Sequence, residues 1–207
     1  MPVPGPCPNL SRSGGSVVPM KFRSLPSSFT FAVCAVSVAA LTACGSAPSS
    51  EAQAPACPTA APESAGTPEW TLPGTTGSVA VTGSTDTAAP VVTVTPPFSV
   101  AETQVHTLQA GSGPVVADTA TVSVCYMGVN GRDGSVFDSS YQRGTPVDFP
   151  LDSVVPGFQK AIAGQNVGST VAVAMNSADG YPEGQPGAGI LPGDSLVFAI
   201  KILDVTG

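Results

Sequence analysis

Val122-Ser123-Val124-Cys125-Tyr126 alternates large apolar side chains with small ones. In an extended chain successive side chains point to opposite faces, so Val122, Val124 and Tyr126 share one face and Ser123 and Cys125 the other. The same beat returns twice downstream. Val171, Val173 and Met175 alternate with alanines, and Leu196, Phe198, Ile200 and Ile202 alternate with Val197, Ala199 and Lys201. Period-two patterns of this kind mark half-buried strands of an antiparallel sheet. Val91 to Val94 offers an edge strand and Thr103 to Leu108 another, while Asn130-Gly131 and Asp133-Gly134 are turn signals. Only Pro156 to Ala163 reads as a helix, with proline near its start and Gly164 just past its end. Residues 90–207 are therefore predicted to be an α+β domain, a sheet whose apolar face one short helix must cover.

Upstream the texture changes. Gly45 to Pro90 is rich in Ala, Pro, Ser, Thr and Gly, with Trp70 and Leu72 as its only large apolar residues apart from valine. Such a segment buries too little surface to offset the entropy of ordering it. Residues 44–89 are accordingly predicted to be a disordered tether, with Trp70 an exposed aromatic. Earlier still, Met20 to Arg23 is a basic opening, Phe29 to Leu41 a nearly unbroken apolar run, and Leu41-Thr42-Ala43-Cys44 its end. This resembles a bacterial lipoprotein signal over residues 20–43, with Cys44 the lipidated N-terminus. An ordinary signal peptide is the alternative; the run is short for a membrane span, which needs about 20 residues. Residues 1–19 precede a complete signal, which suggests Met20 as the true start. The location expected is outside the cytoplasm, on the membrane through the lipid.

Composition narrows the partners. The chain has 7 basic and 14 acidic side chains, and three of the basic ones, Arg12, Lys21 and Arg23, lie before Cys44. The remainder carries four basic against fourteen acidic groups, a net charge of −10. An acidic protein of that kind is repelled by nucleic acid and by anionic lipid. His106 is the single histidine, which excludes a histidine metal cluster and leaves no Ser-His-Asp arrangement with local support. No metal or cofactor is expected. Past Cys44 only Cys57 and Cys125 remain. They could pair outside the cytoplasm or stay as two free thiols.

Several pieces now fall into one ordered set. Val124 to Gly128, Asp133 to Ser140, Val154 to Phe158, Gly164 to Gly168, Gly180-Tyr181, Ile190 to Pro192 and Leu196 to Phe198 together resemble the FKBP family of prolyl isomerases over about Gly111 to Gly207. The resemblance implies a bent antiparallel sheet wrapped around one short helix, with an apolar pocket for the proline of an extended peptide. Tyr126, Phe137, Asp138, Phe149, Val154, Val155, Phe158, Tyr181, Ile190, Leu191 and Phe198 are the residues it places around that pocket. Phe158 would be the floor and Asp138 the lone carboxylate at the rim. The roles it implies are a backbone N–H at Val155 holding a substrate carbonyl, and Tyr181, Asp138 and Tyr126 orienting or stabilising the twisted bond. Each phenylalanine taken alone reads as core, and only their joint spacing changes that; Asp138 alone could be a turn-former.

Cis–trans isomerisation of Xaa-Pro bonds in exported proteins is thus the function expected, with a monomer and possible macrolide-type inhibitors. The sequence departs from the family pattern at Cys125, Val147 and Ser153, where a histidine, an aromatic and a carboxylate are common. Valine and serine at the latter two should weaken contacts to macrolides. The alternative is an FKBP-like module that binds unfolded chains or a partner with little catalysis.

Overall fold

A computed structural model describes residues 56–62 and 66–206. The signal segment 20–43, residues 1–19 and Cys44 lie outside the described residues. No helix among the described residues is long and apolar enough to cross a membrane. Along the chain run β1 (Trp70–Pro73), β2 (Thr76–Thr82), β3 (Val91–Ser99), β4 (Gln104–Gln109), β5 (Thr121–Asn130), β6 (Val136–Ser139), α1 (Ser140–Arg143), β7 (Val147–Pro150), α2 (Pro156–Ile162), β8 (Thr170–Met175) and β9 (Leu196–Val205).

Six of these strands make one antiparallel sheet in the order β4-β8-β9-β5-β6, with β7 also on β5. The outer edge of β5 is shared. β7 pairs with its first half, from Thr121↔Pro150 to Val124↔Val147, and β6 with its second, from Met127↔Ser139 to Val129↔Val136. The handover falls at Cys125 and Tyr126. A buried backbone N–H left there needs an acceptor, and Ser140 Oγ supplies it, 2.8 Å from Tyr126 N.

The predicted helix is present and does cover the apolar face. Phe158, Ala161 and Ile162 of α2 are buried against Val122, Val124, Tyr126, Val171, Val173, Met175, Phe198, Ile200 and Ile202. The helix lies so close to β8 that a Cβ at Gly157 would stand 2.9 Å from that of Met175. Glycine at the first turn is what permits this approach.

The reverse face departs from expectation. Ala172, Ala174, Val197 and Ala199 are fully buried, because a second antiparallel sheet, β1-β2-β3, packs on them through Val79, Val81 and Phe98. The segment predicted as a tether over 44–89 is therefore strand from Trp70 to Pro73 and from Thr76 to Thr82. Few large side chains suffice here because the facing surface is lined with alanine, so the two sheets can close on small residues. Trp70 is not a free aromatic either: its ring stacks on His106 of β4, with centroids 5.6 Å apart and planes within 7°.

The cysteines are joined. Cys57 and Cys125, 68 residues apart, form a disulfide with a Cα–Cα distance of 5.6 Å. Both are buried, alongside Tyr141. The bond fastens residues 56–62 beside β5, and backbone hydrogen bonds from Cys57 to Gly144 (3.3 Å) and from Ala89 to Ala60 (2.8 Å) hold them there.

Candidate functional site

Between the sheet and α2 lies a cavity of about 410 Å³, within the range of small-ligand sites. Tyr126, Phe137, Asp138, Phe149, Ser153, Val154, Val155, Phe158, Tyr181 and Phe198 line it. These side chains come from distant parts of the chain. Tyr126 is on β5, Phe137 and Asp138 on β6, Phe149 on β7, Phe198 on β9, and Phe158 on α2. Val154 and Val155 form the turn into that helix, where no side chain caps the N-terminus.

The rings meet edge to face, the arrangement their quadrupoles favour. Phe158 is the hub: it packs on Tyr126 at 6.0 Å and 85°, on Phe198 at 5.5 Å and 81°, and on Phe149 at 5.4 Å and 71°. Phe137 completes the wall, 5.5 Å from Phe198 and at 86° to it. Gly128 makes that last contact possible, since a Cβ there would lie 2.6 Å from the Phe137 ring and 2.8 Å from that of Phe198.

Polar groups at the rim are few and unequal. The Tyr126 hydroxyl donates to one carboxylate oxygen of Asp138 and Arg143 donates to the other. Arg143 also reaches the Tyr126 hydroxyl at 3.2 Å, and its guanidinium carbon sits 5.9 Å from the centre of that ring. Burial pushes the Asp138 carboxyl up, but the hydrogen bonds from Tyr126 and Arg143 outweigh it and hold the group below the usual range. Burial and the hydrogen bond to Asp138 push the Tyr126 phenol up to about 12. At neutral pH the rim is therefore carboxylate, guanidinium and neutral phenol, with no group poised to exchange a proton. Two donors are unspent. The Val155 N–H and the Tyr181 hydroxyl have no acceptor among the described residues.

Nine of the eleven side chains named from sequence thus line one cavity. Ile190 and Leu191 do not. Ile190 is buried in the core, whereas Leu191 is 51% exposed. The cause is local: the Asp194 carboxylate accepts from Leu191 N at 2.8 Å and Arg132 donates to Gly189 O at 3.0 Å, which folds this loop back on itself. Sequence reading missed Arg143. Its signal was its place in the last turn of α1, five residues after Asp138, where the left-handed Gly144 (φ 72°) stops the helix. Among the described residues no three His, Cys, Asp or Glu side chains gather as a metal site.

Residues 113–203 match the family model described as FKBP-type peptidyl-prolyl cis-trans isomerase. The chain is 33% identical over 108 residues to an FK506-binding protein of Streptomyces anulatus, an alignment covering 51% of this chain and 87% of that one. It is 38% identical over 96 residues to a probable FKBP-type peptidyl-prolyl cis-trans isomerase of Haemophilus influenzae, covering 46% of this chain and 39% of that one. A crystal structure of a peptidyl-prolyl cis-trans isomerase from Pseudomonas syringae pv. tomato aligns at 31% identity and a TM-score of 0.46, over 51% of this chain and 76% of that one. The chain spans less than half the length of the first curated relatives it matches. With most of a relative at this level of identity covered, the chain belongs to the FKBP-type peptidyl-prolyl cis-trans isomerase family.

Proposed function

We propose that the chain catalyses rotation about Xaa-Pro bonds in exported proteins, outside the cytoplasm and tethered by a lipid on Cys44. One observation carries the catalytic part: an aromatic-walled cavity of about 410 Å³ whose lining residues Val155 and Tyr181 keep two unspent donors, an N–H and a hydroxyl. The barrier to rotation is about 18–20 kcal/mol and comes from amide resonance, which the planar, charge-separated form enjoys and the twisted form loses. Phe158, Phe149 and Phe198 withhold the water that would favour the planar form. The Val155 N–H holds a substrate carbonyl, and the Tyr181 hydroxyl supports the twisted amide. Any donor that binds the twisted state better than the planar one lowers the barrier. Both oxygens of Asp138 are already engaged, so it acts through Tyr126, fixing that ring.

No covalent bond is made or broken, so the lack of a titrating acid or base is no obstacle. A millionfold acceleration asks for about 8 kcal/mol, which several such modest terms can supply. The Streptomyces relative is named for binding FK506, and the same cavity here would take a macrolide, weakly, because Ser153 in its lining offers less contact than a carboxylate, while Val147 packs on the core outside that lining. The proposal is tested by titrating the ¹³C,¹⁵N-labelled protein with an Ala-Leu-Pro-Phe peptide. The Val155 amide and the Tyr181 ring should shift together and saturate; shifts confined to the surface of β1-β2-β3 would overturn it.

A further inference from the structure

Tyr181 has an odd foundation for a residue given a catalytic task. Its hydroxyl has no hydrogen-bond partner among the described residues, whereas its backbone carbonyl accepts from Gly184 N at 2.9 Å and Ser177 Oγ at 3.4 Å. The ring packs against the core, so the place of the hydroxyl depends on that packing and on the backbone that runs between Gly180 and Gly184. Pro182 narrows the backbone directly after Tyr181, but the glycines on either side widen it at both ends of the segment. Contacts outside the loop can limit that freedom further.

The residue before Gly180 does so. Asp179 lies outside the cavity lining, and its carboxylate takes three hydrogen bonds from two other elements. Lys160 Nζ donates to both oxygens, at 2.9 and 2.8 Å, and Thr103 Oγ1 donates to one at 2.5 Å. Lys160 sits on α2, two residues after Phe158, and Thr103 leads directly into β4. The Asp179 N–H is fixed as well, on Asn176 Oδ1 at 3.0 Å. Hydrogen bonds from Lys160 and then Thr103 hold the carboxyl below its usual range, so it is ionised at neutral pH.

We propose that Asp179, clamped by Lys160 and Thr103, is the positioning residue for Tyr181, coupling the loop that carries the hydroxyl to the helix that carries the cavity floor. This rests on the isomerase reading above. The clamp fixes the distance between Tyr181 and Phe158, the two sides of the gap a prolyl ring must enter. It touches no substrate itself. Because the Lys160 side chain is 55% exposed and that of Asp179 21%, its loss should leave the fold intact and loosen only the loop.

The test is a double-mutant cycle on the full chain, read as kcat/KM for an Ala-Leu-Pro-Phe peptide and as thermal melting. Asp179→Ala and Lys160→Gln should each lower kcat/KM about three- to fivefold with melting nearly unchanged, in line with the loss of a partly exposed charged hydrogen-bond pair. Lys160→Arg should restore most of it. In a Tyr181→Phe background, Asp179→Ala should cost nothing further, which a merely structural role could not produce. Equal losses in both backgrounds, or none in either, would overturn the clamp. Should the wild type bind the peptide without accelerating its exchange, the isomerase reading falls, and the same cycle read as Kd still decides the clamp.

Discussion

Replacing Cys57 and Cys125 together with alanine gives the sharpest test of how the N-terminal segment belongs to this domain. The bond closes a loop of 68 residues. In the chain-entropy account, cutting it returns about 15 cal/mol/K to the denatured chain, or about 4 kcal/mol at 25 °C. Domains of this size hold only about 5–15 kcal/mol in total, so the variant should sit near the edge of stability. Both sulfurs are buried with Tyr141, and their removal adds a small packing loss in the same direction. Urea unfolding followed by fluorescence measures it. The expected result is a midpoint displaced by about 4 kcal/mol divided by m, with m itself somewhat larger because the uncrosslinked chain expands further. A loss below about 1 kcal/mol would mean that residues 56–62 are not held against β5 in the folded protein, and the description of that strap would be wrong.

Other consequences can be checked separately. A fragment of residues 88–207, which loses β1, β2 and Cys57, should melt well below residues 56–207 and bind hydrophobic dyes, because Ala172, Ala174, Val197 and Ala199 lose their cover; equal melting temperatures would refute the two-sheet packing. Stability should fall with acid. The Asp194 side chain is 7% exposed; burial pushes its carboxyl up, but hydrogen bonds from Asn130, Leu191 N and Arg132 hold it below the usual range. A depressed carboxyl contributes fully above its unfolded value of about 4 and stops contributing as pH falls through its folded value. Asp194→Asn should therefore flatten the acid limb of the stability–pH curve, and an unchanged limb would count against it. The protein should take up labelled palmitate and Cys44→Ala should abolish that labelling; an unlabelled wild type would remove the lipid anchor.

Legibility from sequence followed how each signal arises. A two-residue period reports which side chains share a face, so β5, β8 and β9 could be read directly, and one proline–glycine bracket located α2. The period does not report whether the second face is covered. Alanine at 172, 174 and 199 suits solvent and a tight sheet interface equally well, and the covering sheet was drawn from a segment whose composition argues for disorder. Val79 and Val81 sit among Ser, Thr and Gly, and only the partner face makes them a core. The cavity aromatics were legible because family spacing groups Phe137, Phe149, Phe158 and Phe198, each of which alone reads as packing. Leu191 failed for the opposite reason: a side chain's direction at the tip of a loop depends on the Asp194 and Arg132 hydrogen bonds, which no local pattern encodes. Arg143 went unnoticed because its role needs the single turn of α1 to bring it back to Asp138.

Two-dimensional NMR exchange on an Ala-Leu-Pro-Phe peptide, with and without a substoichiometric amount of the protein, tests the catalytic claim most directly. Cross-peaks between the cis and trans forms should appear on a sub-second scale where the free peptide needs tens of seconds or more, and Phe158→Ala should abolish them. Exchange at the uncatalysed rate with the folded, disulfide-bonded protein would contradict the account.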